Sequence, residues 1–296
     1  MNPDHAPQHD NIPRGIAHAC AAFFLFALMG ACSKGLSSYY SIFEVTFYRN
    51  IVALIPMTLY VLYIKRLDLF VPLNVSLLGG RVLAGVIGLL LTFSAWKALP
   101  MTDATLIFMT ANLIVPVLAF FFLKEQIGPY RWGAVVVGFC GVFLVAGPSG
   151  QGNAFGVMIA FCAALSHAVI QILLRFLKKE NAFTVTYYFI AGGVVAMLPL
   201  LPFVAHMPRF VDVPLILGVG ISGGLGQYCI SNAFKQAPAS VISPFNYTGL
   251  VWATGLDILI WSKVPDWHVA LGGVIIVGAG LFVYARERMK ARQDPL

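Results

Sequence analysis

The fold is decided by two short stretches, Phe-Glu-Val-Thr-Phe-Tyr-Arg at residues 43–49 and Phe-Thr-Val-Thr-Tyr-Tyr-Phe at residues 183–189. Phe, Val, Thr and Tyr recur in register at an offset of 140 positions, and each stretch opens a long apolar run. A self-match at about half the chain length indicates one structural unit used twice. The rest of the sequence is therefore interpreted as two halves.

The composition is that of a membrane protein. Of the 296 residues, 59% are hydrophobic and only 10% are charged, whereas about a quarter of the residues in a soluble domain are charged. Apolar runs of about 20 residues, the length that crosses a bilayer, recur along the chain. We therefore predict a polytopic all-α membrane protein. The five cysteines lie inside apolar runs without a Cys-x-x-Cys pair, so we expect neither a metal site nor a cofactor.

Ten transmembrane helices are predicted, separated by Pro, Gly or charged residues that end helices. The predicted spans are 15–34, 43–64, 75–96, 101–123, 131–147, 154–174, 183–203, 213–234, 239–260 and 267–285. They divide the chain into a disordered tail (1–14), a first five-helix repeat (15–147), a second five-helix repeat (154–285) and a basic tail (286–296).

Positive charge predicts the orientation, because cytoplasmic loops hold the excess of Lys and Arg. One set of loops and ends holds Arg14, Lys65, Arg66, Lys124, Arg131, Arg175, Lys178, Lys179, Lys235, Arg286, Arg288, Lys290 and Arg292. The other set holds Lys34, Lys97, Arg209 and Lys263. Both termini are therefore expected in the cytoplasm. The basic net charge follows from this topology, and we expect no nucleic-acid partner.

The repeat extends well beyond its opening stretches, at a nearly constant offset. The further matching pairs are Lys34 with Arg175, Lys97 with Lys235, and residues 133–144 with residues 272–283. Each half holds five spans, an odd number, so the second half must enter the membrane from the opposite side. Inverted repeats of this kind are typical of secondary carriers, whose substrate site lies near the midplane between the halves.

Several motifs carry a family resemblance. Arg49 lies early in the second span, Phe-Leu-Lys-Glu at 122–125 closes the fourth, and Val-Pro-Asp stands at 264–266. With five-plus-five spans, these features resemble the EamA family of the drug/metabolite transporter superfamily. Phe-Glu-Val at 43–45 and Gly-Arg at 80–81 also resemble the branch of S-adenosylmethionine uptake carriers. Lys263 departs from the family, whose members often have Glu there.

The resemblance implies a secondary transporter that moves a small organic metabolite by alternating access. The expected substrate is amphipathic or cationic, such as S-adenosylmethionine, an amino acid or a vitamin, and an exporter of drugs or toxic metabolites is the alternative. The expected location is the bacterial inner membrane, where the chain would work among lipids as a monomer or a homodimer. The fifth and tenth spans would be peripheral.

Polar and aromatic residues inside the spans are the candidate substrate contacts, because polar groups in a bilayer usually face a cavity or a partner helix. The candidates are Asn112, His167, Gln171, Gln227, Tyr228, Asn246, Tyr247, Trp96, Phe108 and Arg81. Each of the polar ones could instead be a helix–helix hydrogen bond. His167 is also a candidate for proton coupling, because an unperturbed imidazole titrates near neutral pH.

Arg49 is interpreted as a gating residue rather than a symmetric packing residue, since its counterpart in the repeat is Phe189. Asp103 and Asp257, on other spans toward the same side, are its predicted partners. Glu44 is five residues away, which is a poor helical spacing for a direct pair.

Two other classes of function are alternatives to a transporter. Residues 220–224 read Gly-Ile-Ser-Gly-Gly and satisfy Gly-x-Ser-x-Gly, so Ser222 could be the nucleophile of an intramembrane enzyme. A nucleophilic serine needs a base within hydrogen-bond reach. The only histidine after Ser222 is His268, near a span end, and His167 lies on another span. A channel is the third class, and it would show flux that does not saturate.

Overall fold

The computed structural model describes residues 12–123, 129–145, 153–177, 179–236 and 242–293. The described part is helical. The helices are α1 (Ile12–Leu36), α2 (Ile42–Ile64), α3 (Val75–Ala98), α4 (Met101–Met109), α5 (Ala111–Leu123), α6 (Pro129–Val145), α7 (Ala154–Phe176), α8 (Ala182–Met197), α9 (Leu201–Val204), α10 (Val213–Gln236), α11 (Thr248–Trp261) and α12 (Trp267–Gln293). Short 3₁₀ turns cover Leu67–Phe70, Phe210–Asp212 and Ser243–Tyr247.

Side-chain caps fix several helix starts. Ser41 accepts a hydrogen bond from the Glu44 N–H, and the Glu44 carboxylate accepts one from the Ser41 N–H at 2.7 Å, which together form a capping box. Asn74, Asn153 and Asn181 cap α3, α7 and α8 by a single bond each, their side chains accepting from the N–H groups of Leu77, Gly156 and Phe183. These caps satisfy N–H groups that the first turn of a helix leaves unpaired.

Seven helices in the described ranges are long and apolar enough to cross a membrane, and two shorter apolar helices cover Trp132–Val145 and Phe183–Met197. A multi-pass membrane protein is thus confirmed, and within the described residues helical structure occurs in every predicted span. The fourth span is interrupted at Thr110, the seventh ends at Met197, and the described part of the ninth contains a 3₁₀ turn over Ser243–Tyr247 before α11.

Helices from the two halves alternate in the packing. In the first half, α1 packs on α10 and on α11, while α2 packs on α8 and α10. The remaining main contacts join α3 to α7 and α8, α4 to α7 and α11, α5 to α7, and α6 to α12. Most of the described core therefore lies between the halves and not within either one.

The bundle has two ends. At the Lys34 end, α1 and α11 both end. There the Lys34 ammonium donates to the Leu99 carbonyl and pairs with the Asp257 carboxylate. The Lys65 end contains the turn after α2, where Thr184 donates a hydrogen bond to the Leu69 carbonyl at 2.8 Å. Residues 124–128, 146–152 and 237–241 lie outside the described residues.

Candidate functional site

A cavity of about 370 Å³ lies between the helices of the two halves. Every helix of the bundle except α6, α9 and α12 contributes to its described lining. The polar lining residues are Arg49, Arg81, Thr92, Thr105, Asn112, His167, Gln171, Gln227 and Asn246. The aromatic ones are Phe23, Phe26, Trp96, Phe108 and Phe189. No Asp or Glu occurs among the described residues of this wall.

Arg81 on α3 is 8% exposed, and its guanidinium lies 4.8 Å from the centre of the Phe189 ring. A Cβ placed on Gly85, one turn along the same helix, would overlap both the Arg81 Nη1 and the Phe189 ring. The missing side chain at Gly85 is therefore what allows this arginine to lie across the ring. The Arg81 Nε and Nη1 have no hydrogen-bond partner among the described residues.

Arg49 on α2 is only 1% exposed and approaches the same ring, 5.3 Å from its centre. It donates from Nη1 to the Asn50 side-chain oxygen at 2.7 Å, while its Nε has no partner in the described structure. A Cβ on Gly223 of α10 would come within 2.9 Å of that Nε. Two arginines from different helices thus share one phenylalanine at the cavity wall.

His167 on α7 lies against Thr92 and Phe108. The Thr92 hydroxyl donates to the Gly88 carbonyl at 2.7 Å and lies 3.1 Å from the His167 Nε2. The Thr92 hydroxyl therefore links α3 to the imidazole of His167 on α7. The Phe108 ring packs on the imidazole edge to face, with centroids 5.6 Å apart.

Asn112 follows an interruption of the fourth span at Thr110. Pro116 has no N–H to donate to the carbonyl of residue 112, four positions earlier, so the helix is weakened at this point. The Thr110 hydroxyl donates to the Ile107 carbonyl at 2.6 Å and stabilises the turn between α4 and α5.

Asn246 lies in the 3₁₀ turn that precedes α11, and it faces the same cavity. Its neighbour Tyr247 is half-buried behind the wall, where its hydroxyl contacts the Asn112 side chain. The interrupted fourth and ninth spans therefore meet at the cavity, because α4 also packs on α11.

The Lys34 end is closed by a polar network. Asp257 on α11 is 1% exposed and accepts hydrogen bonds from the Thr102 N–H at 2.7 Å and the Thr102 hydroxyl at 2.9 Å. The Lys34 ammonium lies 3.8 Å from this carboxylate and donates to the Leu99 carbonyl at 2.8 Å. These contacts tie α1, α4 and α11 together at one mouth of the bundle.

A second set of contacts closes the same end. The buried Glu44 accepts a hydrogen bond from the His206 N–H at 2.6 Å in addition to its capping box. Tyr40 donates to Asp212 at 2.9 Å, and Arg209 forms an ion pair with Asp212 at 2.7 Å. The segment between α9 and α10 is thereby fixed to the junction of α1 and α2. This hydrogen-bonded ion pair raises the pKa of Arg209, which lies outside the spans.

Most of the candidate substrate contacts reach the cavity. Arg81, Trp96, Phe108, Asn112, His167, Gln171, Gln227 and Asn246 line it. Tyr247 lies one layer behind, and Tyr228 is 65% exposed and belongs to another face of α10. A binding role for each of them stays a prediction.

The expected partners of Arg49 are arranged differently. Asp257 pairs with Lys34 and Thr102, and in the described residues Arg49 has no ion pair with Asp103 or Asp257. Sequence reasoning missed Lys34, Thr92 and Phe189 as parts of the site. The repeat offered a signal for two of them, since Lys34 matches Arg175 and Phe189 matches Arg49.

Fold and cavity together define a polytopic helical membrane protein with a central, largely uncharged chamber that contains two arginines. The chain belongs to the EamA-like transporter family, whose model matches it twice, over residues 13–147 and 154–285. The two matches coincide with the two halves. The family consists of transporters and not of enzymes. The Ser222 hydroxyl fits this, because it donates to the Gly218 carbonyl of its own helix and not to a histidine.

Several proteins named as transporters are similar to this chain over nearly its full length. An uncharacterised transporter of Helicobacter pylori is 28% identical and covers 91% of this chain and 94% of its own. An S-adenosylmethionine uptake transporter of Rickettsia bellii is 27% identical (90% and 93%), and the pseudopaline exporter CntI of Pseudomonas aeruginosa is 25% identical (91% and 95%). A solved crystal structure with 17% identity and a TM-score of 0.66, covering 90% of this chain and 96% of that one, has the same fold.

Proposed function

We propose that the protein is a secondary transporter that carries a small organic metabolite through this cavity by alternating access. The observation that carries the proposal is the location of the cavity, which is lined by helices of both halves. A chamber between two similar halves can open to one side or to the other when the halves rock against each other.

The helix pairings support an inverted repeat of ten spans. In the repeat, α1 corresponds to α7, α2 to α8 and α3 to α10. Exchanging each helix for its counterpart turns the α1–α10 contact into α7–α3 and the α2–α10 contact into α8–α3. Both of these contacts occur. The α1–α11 contact likewise becomes α7 with α4 and α5, which also occurs. Contacts that exchange in this way are expected when the halves are related by a pseudo-twofold axis.

The interrupted spans support a transport site. Substrate sites of carriers are typically built where membrane helices are discontinuous, because freed backbone groups can face the solute. The fourth span of the first half is interrupted just before Asn112, and in the second half Asn246 lies in the 3₁₀ turn that precedes α11. Both residues face the cavity.

The orientation follows from the charge pattern. We assign the Lys65 end and both termini to the cytoplasm, and the membrane to the bacterial inner membrane. Gln171 is exposed although it lines the cavity, and it lies toward the Lys65 end of α7. The networks of Asp257 and Glu44 close the opposite end. The described conformation is thus interpreted as inward-facing.

The walls suit a solute with a flat or apolar part and several hydrogen-bonding groups. Trp96 and Phe108 provide apolar surface, while Asn112, Gln227 and Asn246 provide amides. S-adenosylmethionine, which one relative takes up, is an appropriate first substrate to test. An alternating-access carrier works in either direction along the prevailing gradient, so relatives named for uptake and for export can share this cavity.

Transport in liposomes tests the proposal. Purified protein reconstituted with labelled S-adenosylmethionine or a panel of amino acids should give saturable uptake that is accelerated by unlabelled solute on the opposite side. Protein-free liposomes are the control. Flux that never saturates and shows no counterflow would indicate a channel, and a chemically altered solute would indicate an enzyme.

A further inference from the structure

The two cavity arginines are unusual because nothing in the described structure neutralises them. Arg49 and Arg81 are 1% and 8% exposed, respectively, and neither forms an ion pair with a described carboxylate. A buried charge without a partner is costly, and charges inside a membrane usually mark a functional site. Arginine stays protonated under all physiological conditions, so the cost cannot be avoided by deprotonation.

The contacts that Arg49 and Arg81 do make offset only part of the cost of burying their charges. Asn50 accepts one hydrogen bond from Arg49, and the Phe189 ring gives both guanidinium groups a cation–π contact. A guanidinium has five N–H donors, and three nitrogens of the pair have no acceptor: the Arg49 Nε and the Arg81 Nε and Nη1. These three nitrogens are enclosed by the surrounding packing. Both arginines line the cavity, so guanidinium groups reach its wall from two different helices.

The surrounding residues preserve this arrangement. Gly85 leaves room for the Arg81 guanidinium, and Gly223 leaves room for Arg49. Gly193 similarly makes space for Asn50, which holds Arg49. Three glycines on three helices thus permit two guanidinium groups to meet at one ring, whereas larger residues would fill the space.

We propose that Arg49 and Arg81 form a clamp for an oxyanion, so that the transported solute carries a carboxylate or phosphate group. The inference rests on the proposed function, because it names the chemical class of solute held in the carrier's cavity. The planar guanidinium fork binds carboxylate and phosphate through paired, charge-assisted hydrogen bonds. The wall has no described Asp or Glu that would compete with the oxyanion for these donors.

The bound oxyanion would lie at one side of the cavity, with the rest of the solute along the aromatic and amide wall. A zwitterion can also be accommodated, because Trp96 and Phe108 offer ring faces to a cationic group. A solute with only cationic groups should be rejected by the two arginines. This distinguishes the present assignment from a carrier for simple cations.

Matched probes that differ in the oxyanion alone test the clamp by thermal unfolding of the purified protein. The carboxylate arm uses S-adenosylmethionine against its decarboxylated form and indole-3-acetate against indole-3-acetamide. The phosphate arm uses phenyl phosphate against phenol. We expect the oxyanion member of at least one pair to raise the unfolding midpoint and to bind roughly tenfold or more tightly than its partner. The responding arm identifies the head group.

Variants connect this preference to the arginines. Arg49→Gln and Arg81→Gln should each abolish it, whereas Arg66→Gln, at an arginine exposed in the turn after α2, should retain it. Gly85→Ala keeps both charges but displaces the Arg81 guanidinium, so it should weaken oxyanion binding, whereas Gly80→Ala has open space and should not. The glycine pair keeps the test decisive if an arginine variant fails to fold.

The clamp is overturned if no oxyanion probe shifts the midpoint, if neutral partners bind equally well, or if the preference survives in folded Arg49 and Arg81 variants. Flux of the same probes in liposomes separates this failure from that of the proposed function. Saturable transport without an oxyanion preference would leave the carrier standing and remove the clamp. Binding that depends on the arginines without transport would retain the clamp and remove the carrier.

Discussion

At the scale of single residues, the sequence predicted which polar residues lie inside the spans better than which of them face the cavity. Asn112, His167 and Gln227 are polar residues within apolar spans, and all three line the cavity. Tyr228, predicted by the same reasoning, is 65% exposed. Polarity shows that a residue needs a partner, but which face of a helix is turned inward depends on neighbours far away in the sequence. For the same reason the meeting of Arg49 and Arg81 at Phe189 was not predicted.

The adjacent pair on α10 gives a residue-scale prediction. Gln227→Ala removes an amide from the cavity wall and should lower transport at least about fivefold, the effect of one lost hydrogen bond of about 1 kcal/mol. Tyr228→Ala is the control, because its exposed side chain lies outside the cavity. Initial rates in liposomes are compared at equal amounts of folded protein. Equal losses in both variants, or none in Gln227→Ala, would contradict a role for Gln227 at the site.

At the scale of helices, periodicity and turn residues were sufficient to predict the spans, because an apolar helix that crosses a bilayer leaves a long uniform run. The interruptions were harder to predict. Pro116 marks the weakened fourth span, yet the interruption at Thr110 also depends on how α4 packs against α7 and α11. Close crossings are equally hidden from the sequence, since small residues also occur on lipid-facing surfaces.

The crossing of α6 and α12 gives an element-scale prediction. A Cβ on Gly272 would lie 2.6 Å from the Gly141 carbonyl oxygen and 2.8 Å from Val145. Gly272→Ala should therefore separate the two helices and lower stability by about 1–3 kcal/mol through overpacking. On the same helix, Gly278 has open space at its Cα, so Gly278→Ala should be neutral or stabilising by up to about 1 kcal/mol.

Thermal unfolding in detergent, with the wild type as reference, measures both glycine variants. The crossing is peripheral to the cavity, so folded Gly272→Ala should bind ligand as the wild type does. An unfolding midpoint that is unchanged in Gly272→Ala would show that these helices do not cross as described.

At the scale of the whole molecule, the repeat predicted the organisation most directly. The stretches at 43–49 and 183–189 start α2 and α8, which pack on each other, and the family model matches the halves separately. What the repeat could not supply is asymmetry. Lys34 and Thr102 contact the buried Asp257 at one end. Lys34 has a basic counterpart in Arg175, but the corresponding end of the fourth span, residues 118–123, has no acidic residue in the place of Asp257.

The central claim is that one cavity is exposed to the two sides of the membrane in turn. A single cysteine in place of Thr105, a cavity residue, in a background without the native cysteines reports this directly. Cysteines in place of the exposed Arg66 and Lys263 serve as controls for the two faces, and they should label from opposite sides.

The decisive measurement is the labelling rate of Thr105→Cys by a small impermeant thiol reagent, applied separately from each side of oriented vesicles. The account predicts labelling from both sides, and adding Asp257→Asn, which weakens closure of the Lys34 end, should raise the rate from the Lys263 side and lower it from the Arg66 side. Labelling from one side only, unchanged by Asp257→Asn, would contradict alternating access through this cavity.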